Sequence, residues 1–334
     1  MNAPNWIHTY KDNPYLAYAD LPFEWKGTPV DRRGRFANHE YLFVDSIRQL
    51  LKWQLMTNPQ KEEKQNESWR LQVSVPNLDS ASRGDCIIWL GHASFFIRLA
   101  GYSILVDPVF FDLPFIKRQS PLPISPDQLG DIDYILISHD HRDHCDIRSL
   151  KSLAAINAEA TFLTGLGLDR LLSTCTKGQE IQAAGWYQQY RTSPTINISY
   201  VPSRHWGRRY WHDTNCNLWG GFVIQGAGRT LYFAGDSGYG SHFHDIGKVF
   251  PSIDYCMLGI GAYKPEFFMG QSHTSPLEAV QAFVDTRATY MIPMHYGTFD
   301  LSDEPLGDPV RVLKQTNNQA GICYLQPGEV LSLH

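Results

Sequence analysis

The sequence lacks several features that would assign it to a class at once. Its net charge is −5, and no basic excess marks a nucleic-acid surface, so DNA and RNA are not expected partners. No stretch approaches the roughly 20 apolar residues of a membrane-spanning helix. The opening MNAPNWIHTYKDNPYLAYAD has no basic start followed by an apolar run, so no secretory signal is expected. Six cysteines (Cys86, Cys145, Cys175, Cys216, Cys256 and Cys323) are scattered and form no CxxC pair. In a chain of 334 residues this argues against a disulfide scaffold and for a reducing compartment. No tandem repeat of fixed period is visible. The remaining balance, 43% hydrophobic and 19% charged, is that of an ordinary soluble protein of one or two domains. A cytoplasmic location is expected.

Residues 1–80 read differently from the rest and are expected to form an N-terminal extension packed on a core domain over 81–334. Within the extension, EYLFVDSIRQLLKWQLM (40–56) has helical apolar spacing and predicts one helix. The polar stretch 58–70 predicts an exposed segment. From Cys86 onward short apolar runs alternate with Gly, Pro and Asp. CIIWLG, SFFIRLA and SILVDP read as consecutive strands, and IDYILISH as a buried strand ending in a histidine. ATFLTG, NISYVPSR, LWGGFVIQ, TLYFAGD, IDYCMLGIG and TYMIPMH are further strand candidates. DIRSLKSLAAI predicts a helix with Asp146 as its N-cap. SPLEAVQAFVDT predicts another, with Ser275 as cap, Pro276 at the first position and Glu278 closing a capping box. Runs of strands with interspersed helices predict an α/β sandwich.

The densest chemistry lies in ISHDHRDHCD (137–146). His139 and His141, two apart on an extended segment, point the same way and can bind one ion. After the turn, Asp143 and His144 can face a second. With 13 histidines in the chain, a chance H-x-H-x-D-H is on the order of one in a thousand, so a polar loop capping a helix is the weaker explanation. One loop cannot complete two metal sites, and further donors occur at strand ends: His205 in VPSRHWGRR, Asp236 in YFAGDSGYG and His295 in MIPMHYGTF. Ligand sites in open α/β sheets gather at such strand ends.

These motifs resemble the metallo-β-lactamase fold superfamily. WLGHASFFIRLAGYSILVDPVF, SHDHRDHCD, PSRHWGRR, LWGGFVI, LYFAGDSGYG and PMHYGTF resemble N-acyl-phosphatidylethanolamine-hydrolysing phospholipase D and its bacterial relatives. The resemblance runs over roughly residues 86–300. It implies a four-layer αββα sandwich holding two Zn2+ per chain. One ion would take His139, His141 and His205, the other Asp143, His144 and His295, with Asp236 bridging both. Mn2+ or Fe would accept similar ligands. The resemblance also inclines Asp107, at the end of ILVDP, towards orienting a ligating histidine, where the residue alone reads equally as a turn aspartate. It places His273 near the reacting phosphate as an acid or a hydrogen-bond donor, against a loop histidine with no role. His92 either lines the site or packs. Asp146 either caps its helix or supports Asp143. His212, His242 and His244 are read as structural or as pocket wall rather than as ligands, and Cys145 as a small buried side chain.

Two divalent ions sharing one water would generate a hydroxide that attacks phosphorus or a carbonyl carbon without a covalent enzyme intermediate. PVFFDLPF (108–115), HWGRRYW (205–211) and GAYKPEFFMG (261–270) follow site-bearing strands and supply aromatic walls, with Trp206, Tyr263 and Phe268 as substrate contacts. Arg208 and Arg209 are candidates for a phosphate. A phospholipid-like phosphodiester suits such a pocket. A lactonase, a cyclic-nucleotide or other ester hydrolase, or a purely structural metal site are the alternatives. A lipid or small-molecule substrate is expected, with peripheral membrane contact and a homodimer as further expectations.

Overall fold

The computed structural model describes residues 4–44, 47–76, 84–316 and 320–333. Strands β1 (Thr9–Lys11) and β2 (Thr28–Val30) pair as a small antiparallel ribbon. The first large sheet contains β3 (Cys86–Gly91), β4 (Ser94–Leu99), β5 (Tyr102–Val106), β6 (Tyr134–Ile137), β7 (Thr161–Gly165) and β8 (Ile181–Ala184), side by side in chain order. The C-terminal strand β14 (Val330–Ser332) joins its edge beside β3. The second sheet runs β13-β12-β11-β10-β9, from β9 (Ile196–Val201), β10 (Gly221–Gly226), β11 (Arg229–Phe233), β12 (Tyr255–Gly259) and β13 (Tyr290–Met294).

Strand periodicity divides the apolar residues between two cores. In β3, Ile87 and Trp89 face the large cluster between the sheets, while Ile88 and Leu90 face the smaller outer cluster. In β6, Leu136 turns inward and Ile135 and Ile137 outward. Because both faces are covered, these strands read as unbroken apolar runs rather than alternating ones. On the outer face of the first sheet α3 (Ile147–Ile156) presents Leu150 and Leu153. Across the second sheet α5 (His242–Val249) and α7 (Pro276–Thr286) contribute Phe243, Ile246, Ala279 and Phe283. The layers are therefore helix, sheet, sheet, helix: the expected αββα sandwich. Shorter helices are α4 (Asp169–Leu172), α6 (Glu266–Met269) and α8 (Asp308–Thr316).

Both predicted caps are present. Asp146 accepts from the Arg148 and Ser149 amides. Ser275 and Glu278 form a reciprocal capping box. The helix predicted over 40–56 is shorter, α1 (Ile47–Leu55), and residues 45–46 of that span lie outside the described residues. Residues 41–44 are not helical because tertiary contacts claim them: Phe43 stacks on Trp206 with ring centroids 5.0 Å apart. The polar segment forms α2 (Lys61–Asn66), with no buried residue.

The N-terminal segment lies against the rest of the chain through specific bonds. Gln188 exchanges hydrogen bonds with Asn13, both 2.8 Å long, and Thr28 Oγ1 accepts from the Trp186 amide at 2.8 Å. The boundary expected near residue 80 falls outside the described residues.

Candidate metal centre

The site is assembled from the ends of strands. Beyond β6 lie His139, His141, Asp143 and His144; beyond β9, His205; beyond β11, Asp236; beyond β13, His295; and just beyond β5, Asp107. Backbone conformation aims several of them: Asp107, His92 and His295 have φ of 41°, 53° and 63°, a region that L residues enter only when the surroundings hold them there. Gly235, before Asp236, has φ +62°, and a Cβ there would lie 2.5 Å from the Gly220 carbonyl oxygen. Only glycine fits this close approach.

Asp236 stands at the centre. Its Oδ2 lies 3.1 Å from His144 Nε2 and 3.8 Å from both His139 Nε2 and His205 Nε2. Its Oδ1 lies 3.1 Å from His295 Nε2. Asp143 Oδ2 is 3.7 Å from His144 Nε2, 3.6 Å from His295 Nε2 and 3.0 Å from His92 Nε2. Among the described residues two four-membered donor groups result, each with its donor atoms mutually within 4.8 Å: His139, His141, His205 and Asp236, and His92, Asp143, His144 and His295; the trios Asp107, His139, His144 and Asp236, His273, His295 are equally close.

The hydrogen-bond network presets the lone pairs. Asp107, fully buried, accepts from His144 Nδ1 at 2.7 Å and from Ser138 Oγ at 2.5 Å. With its proton committed to Asp107, the Ser138 hydroxyl accepts from His139 Nδ1 at 2.9 Å. His205 Nδ1 faces the Ser272 carbonyl at 2.9 Å. A carbonyl only accepts, so the hydrogen sits on Nδ1 of each ring and Nε2 is left as a lone pair facing the centre.

The residues fit a metal. Nε2 of His139, His141, His144 and His295 is buried without a hydrogen-bond partner, an arrangement that costs free energy unless a cation takes those lone pairs. Charge points the same way. Burial alone would raise the Asp236 and Asp143 carboxyls, but neighbouring histidines, His144 first, hold both well below the usual carboxylate range. Burial would likewise depress His295, yet Asp236 and Asp143 push it up to about 9. His144 is raised in the same way. The pull of the two carboxylates on these imidazoles marks a place that favours positive charge, and a divalent ion taking the Nε2 lone pairs would displace those protons. His139 and His205, pressed by burial and neighbouring histidines, fall well below the ordinary value and stay neutral, the form that ligates.

Above the donors opens a pocket of about 410 Å3, whose lining includes His141, Asp143, Asp236, His273 and His295. Trp206, Arg208 and Phe268 are among its lining residues. His273 Nδ1 lies 3.9 Å from Asp236 Oδ2. Tyr263 does not line this pocket: its hydroxyl is spent on Asp308, and it is buried. Arg209 is likewise committed, donating to the carbonyls of Asp140 (3.2 Å) and Cys145 (2.7 Å) and so bracing the metal loop. PVFFDLPF does not line the pocket: Phe110 packs in the outer core and Val109 and Leu113 in a small cluster with Phe299, while Phe115 is exposed. The Asp146 side chain bonds the start of α3 and Ser149 Oγ, a capping role. His92, left open between two roles, meets Asp143 directly.

Other contributors carried no sequence signal. Phe43, Val44 and Leu50 of the N-terminal segment form a pocket wall. Asp140, between two histidines, is fully buried and accepts from Asn217 Nδ2 at 2.8 Å, tying the 205–217 loop to the metal loop. Its one trace in the sequence is the acid between the two histidines of HDH.

Comparison with known proteins agrees with this architecture. A family model described as a beta-lactamase superfamily domain matches residues 102–296, more than half of the chain. The N-acyl-phosphatidylethanolamine-hydrolyzing phospholipase D 1 of Caenorhabditis elegans is 33% identical over 231 residues, covering 64% of this chain and 64% of that protein, so the match spans less than two thirds of the relative's length. A metal-dependent hydrolase of Methanopyrus kandleri is 28% identical, covering 73% of this chain and 97% of that one. A metallo hydrolase from Ignicoccus hospitalis has the same fold, with TM-score 0.57, 21% identity and coverage of 75% of this chain and 98% of that chain.

Proposed function

From a chain that belongs to the β-lactamase superfamily, in the branch resembling N-acyl-phosphatidylethanolamine-hydrolysing phospholipase D, and that is a metal-dependent hydrolase, we propose a dinuclear zinc phosphodiesterase of phospholipase D type. Its substrates are N-acyl-phosphatidylethanolamine-like phospholipids. The observation that carries this reading is the pair of donor groups meeting at Asp236 on the floor of a pocket with aromatic and cationic walls. The ligand sets are those given by the resemblance: His139, His141 and His205 for one ion, Asp143, His144 and His295 for the other, and Asp236 between them. His92 supports Asp143, and Asp107 orients His144 and, through Ser138, His139. When bound, such ions supply an activated water at neutral pH and a counter-charge for the reacting oxygens.

The chain's own groups account for the rest. Arg208, whose guanidinium lies 4.9 Å from the Trp206 ring centroid, offers donors to a phosphate. Burial lowers His273 to about 4, so its ring is neutral at pH 7 and gives a hydrogen bond to a substrate oxygen or takes up a proton. Phe43, Val44, Leu50, Trp206 and Phe268 cover an acyl-bearing body and exclude water. Residues 1–80 thus act as an extension that completes the pocket. No helix among the described residues is long and apolar enough to cross a membrane. Exposed Leu42, Val44, Leu51 and Leu55 flank the pocket wall and support peripheral contact with a lipid surface, for a cytoplasmic chain that works at membranes. A homodimer completes the proposal, to be read from sedimentation.

The deciding experiment is elemental analysis of the purified protein followed by turnover of N-acyl-phosphatidylethanolamine, bis-p-nitrophenyl phosphate and a lactone panel. Two zinc ions per chain and phosphodiester turnover are expected. Lactone turnover with inert phosphodiesters would replace the proposal with a lactonase. A metal-loaded protein inert to every ester class would leave a structural site.

A further inference from the structure

Two residues of the metal site sit on strained backbone, His92 at φ 53° and His295 at φ 63°. L residues stay in that region only where neighbouring groups fix them. Here the fixing groups offer the centre no donor of their own. Thr298, fully buried, accepts from the His92 amide through Oγ1 at 2.8 Å. The His92 carbonyl in turn accepts from the His295 amide at 3.0 Å and from Trp89 Nε1 at 2.9 Å. One hydroxyl thus secures the turn that secures the His295 backbone. The His92 ring closes the circuit, with Nε2 3.0 Å from Asp143 Oδ2 and its centroid 4.0 Å from that of His295.

Behind Thr298 stands a cation. Arg118 donates to the carbonyls of Leu90 at 2.7 Å, Val109 at 3.0 Å and Ser120 at 3.0 Å. Its neighbour Gln119 donates its amide to the Thr298 carbonyl at 2.8 Å. A planar fork of five donors suits a side chain that must join separate backbone segments. Between the two groups lies Gly91, at φ +96°, where a Cβ would come 2.6 Å from Arg118 Nη2 and 3.1 Å from Thr298 Oγ1. The turn is bare where both press on it. The frame is also one-sided. His92 and His295, which it holds, and Asp143, which His92 bonds, belong to the donor group completed by His144. Among the described residues neither Thr298 nor the Arg118 guanidinium bonds a member of the other group, His139, His141, His205 and Asp236.

We propose that Thr298 and Arg118 are positioning residues for one of the two metal ions. They hold the backbones of His92 and His295 so that Asp143 and His295 face that ion, and they set its affinity without setting that of its neighbour. The inference rests on the two-ion reading above and is indifferent to the substrate. For Arg118, charge and geometry predict opposite signs. A buried cation repels a metal ion, so its loss would tighten binding if charge ruled. Loss of the frame weakens binding instead.

The test is stepwise zinc binding to protein stripped of metal, followed by calorimetry and by elemental analysis after dialysis. The wild type is expected to take two ions per chain. Thr298→Val, which keeps the shape and removes the acceptor, should weaken one ion roughly tenfold and leave the other unchanged. Thr298→Ser should restore both affinities, and Arg118→Gln should weaken the same ion as Thr298→Val. A wild type that takes fewer than two ions would overturn the two-ion reading and this inference with it. Two ions in the wild type, with both affinities unchanged in Thr298→Val or both reduced alike, would overturn the inference and leave that reading standing. Tighter binding in Arg118→Gln would do the same. Should the variants fail to fold, hydrogen exchange of the metal-free wild type decides. The His92 and His295 amides should exchange slowly, and exchange as fast as that of exposed loops would overturn the proposal.

Discussion

Individual side chains in this molecule divide into donors that face the centre and groups that hold them. His139→Ala and Asp236→Ala are each expected to abolish turnover and to lower the metal content below the wild-type ratio, measured together by elemental analysis and rate. Asp107→Ala removes the acceptor shared by His144 and Ser138. Its cost should be milder, a 10- to 100-fold loss in metal affinity, seen as easier stripping by a chelator. Asp140→Ala should loosen the loop that Asn217 ties down and raise KM more than it lowers kcat. The seven side chains that meet at Asp236 were legible in the sequence because their type and spacing have little other use. The roles of Asp140 and Arg209 were not, since a side chain's direction depends on neighbours distant in the chain. Tyr263 illustrates the same limit: it follows a site-bearing strand, but Asp308, 45 residues on, takes its hydroxyl away from the pocket.

Secondary-structure elements carry the next set of constraints. Strands were readable wherever both faces are buried, as in β3 and β6, because a continuous apolar run has few other uses in a soluble domain. The capping box of α7 was readable from Ser275, Pro276 and Glu278 alone. Ser275→Ala is expected to lower stability by about 1 kcal/mol, measured by urea unfolding. Gly235→Ala should cost more, because its methyl group would strike the Gly220 carbonyl in a backbone region that alanine resists; a depressed melting temperature together with metal loss would mark it. α1 was overextended for the opposite reason: helical spacing continues through 41–44, yet stacking of Phe43 on Trp206 overrides local preference.

For the molecule as a whole, the sandwich buries several histidines that the unfolded chain would protonate. Burial, aided by Arg204, lowers His242 from 6.5 to about 3. Between those values the unfolded chain takes up a proton that the folded one refuses. Stability is therefore undiminished above pH 6.5 and falls as the pH drops towards 3. His92, also lowered to about 3, acts in the same direction. Melting temperatures from pH 7.5 downward should decline, and His242→Gln should flatten that decline. The layer order was foreseeable from runs of strands with interspersed helices. The involvement of the first fifty residues in the pocket was not, because nothing in their composition names a partner more than a hundred residues away.

That stack of Phe43 on Trp206 has a consequence for how the protein acquires specificity. Phe43 comes from a segment well before the first metal-loop histidine, His139, so part of the pocket wall and the donors are carried by separate stretches of chain. Substitution before residue 50 can thus alter that wall while leaving the donors untouched. Relatives that share the donors but differ before residue 50 should be sought for different preferences in what they cleave.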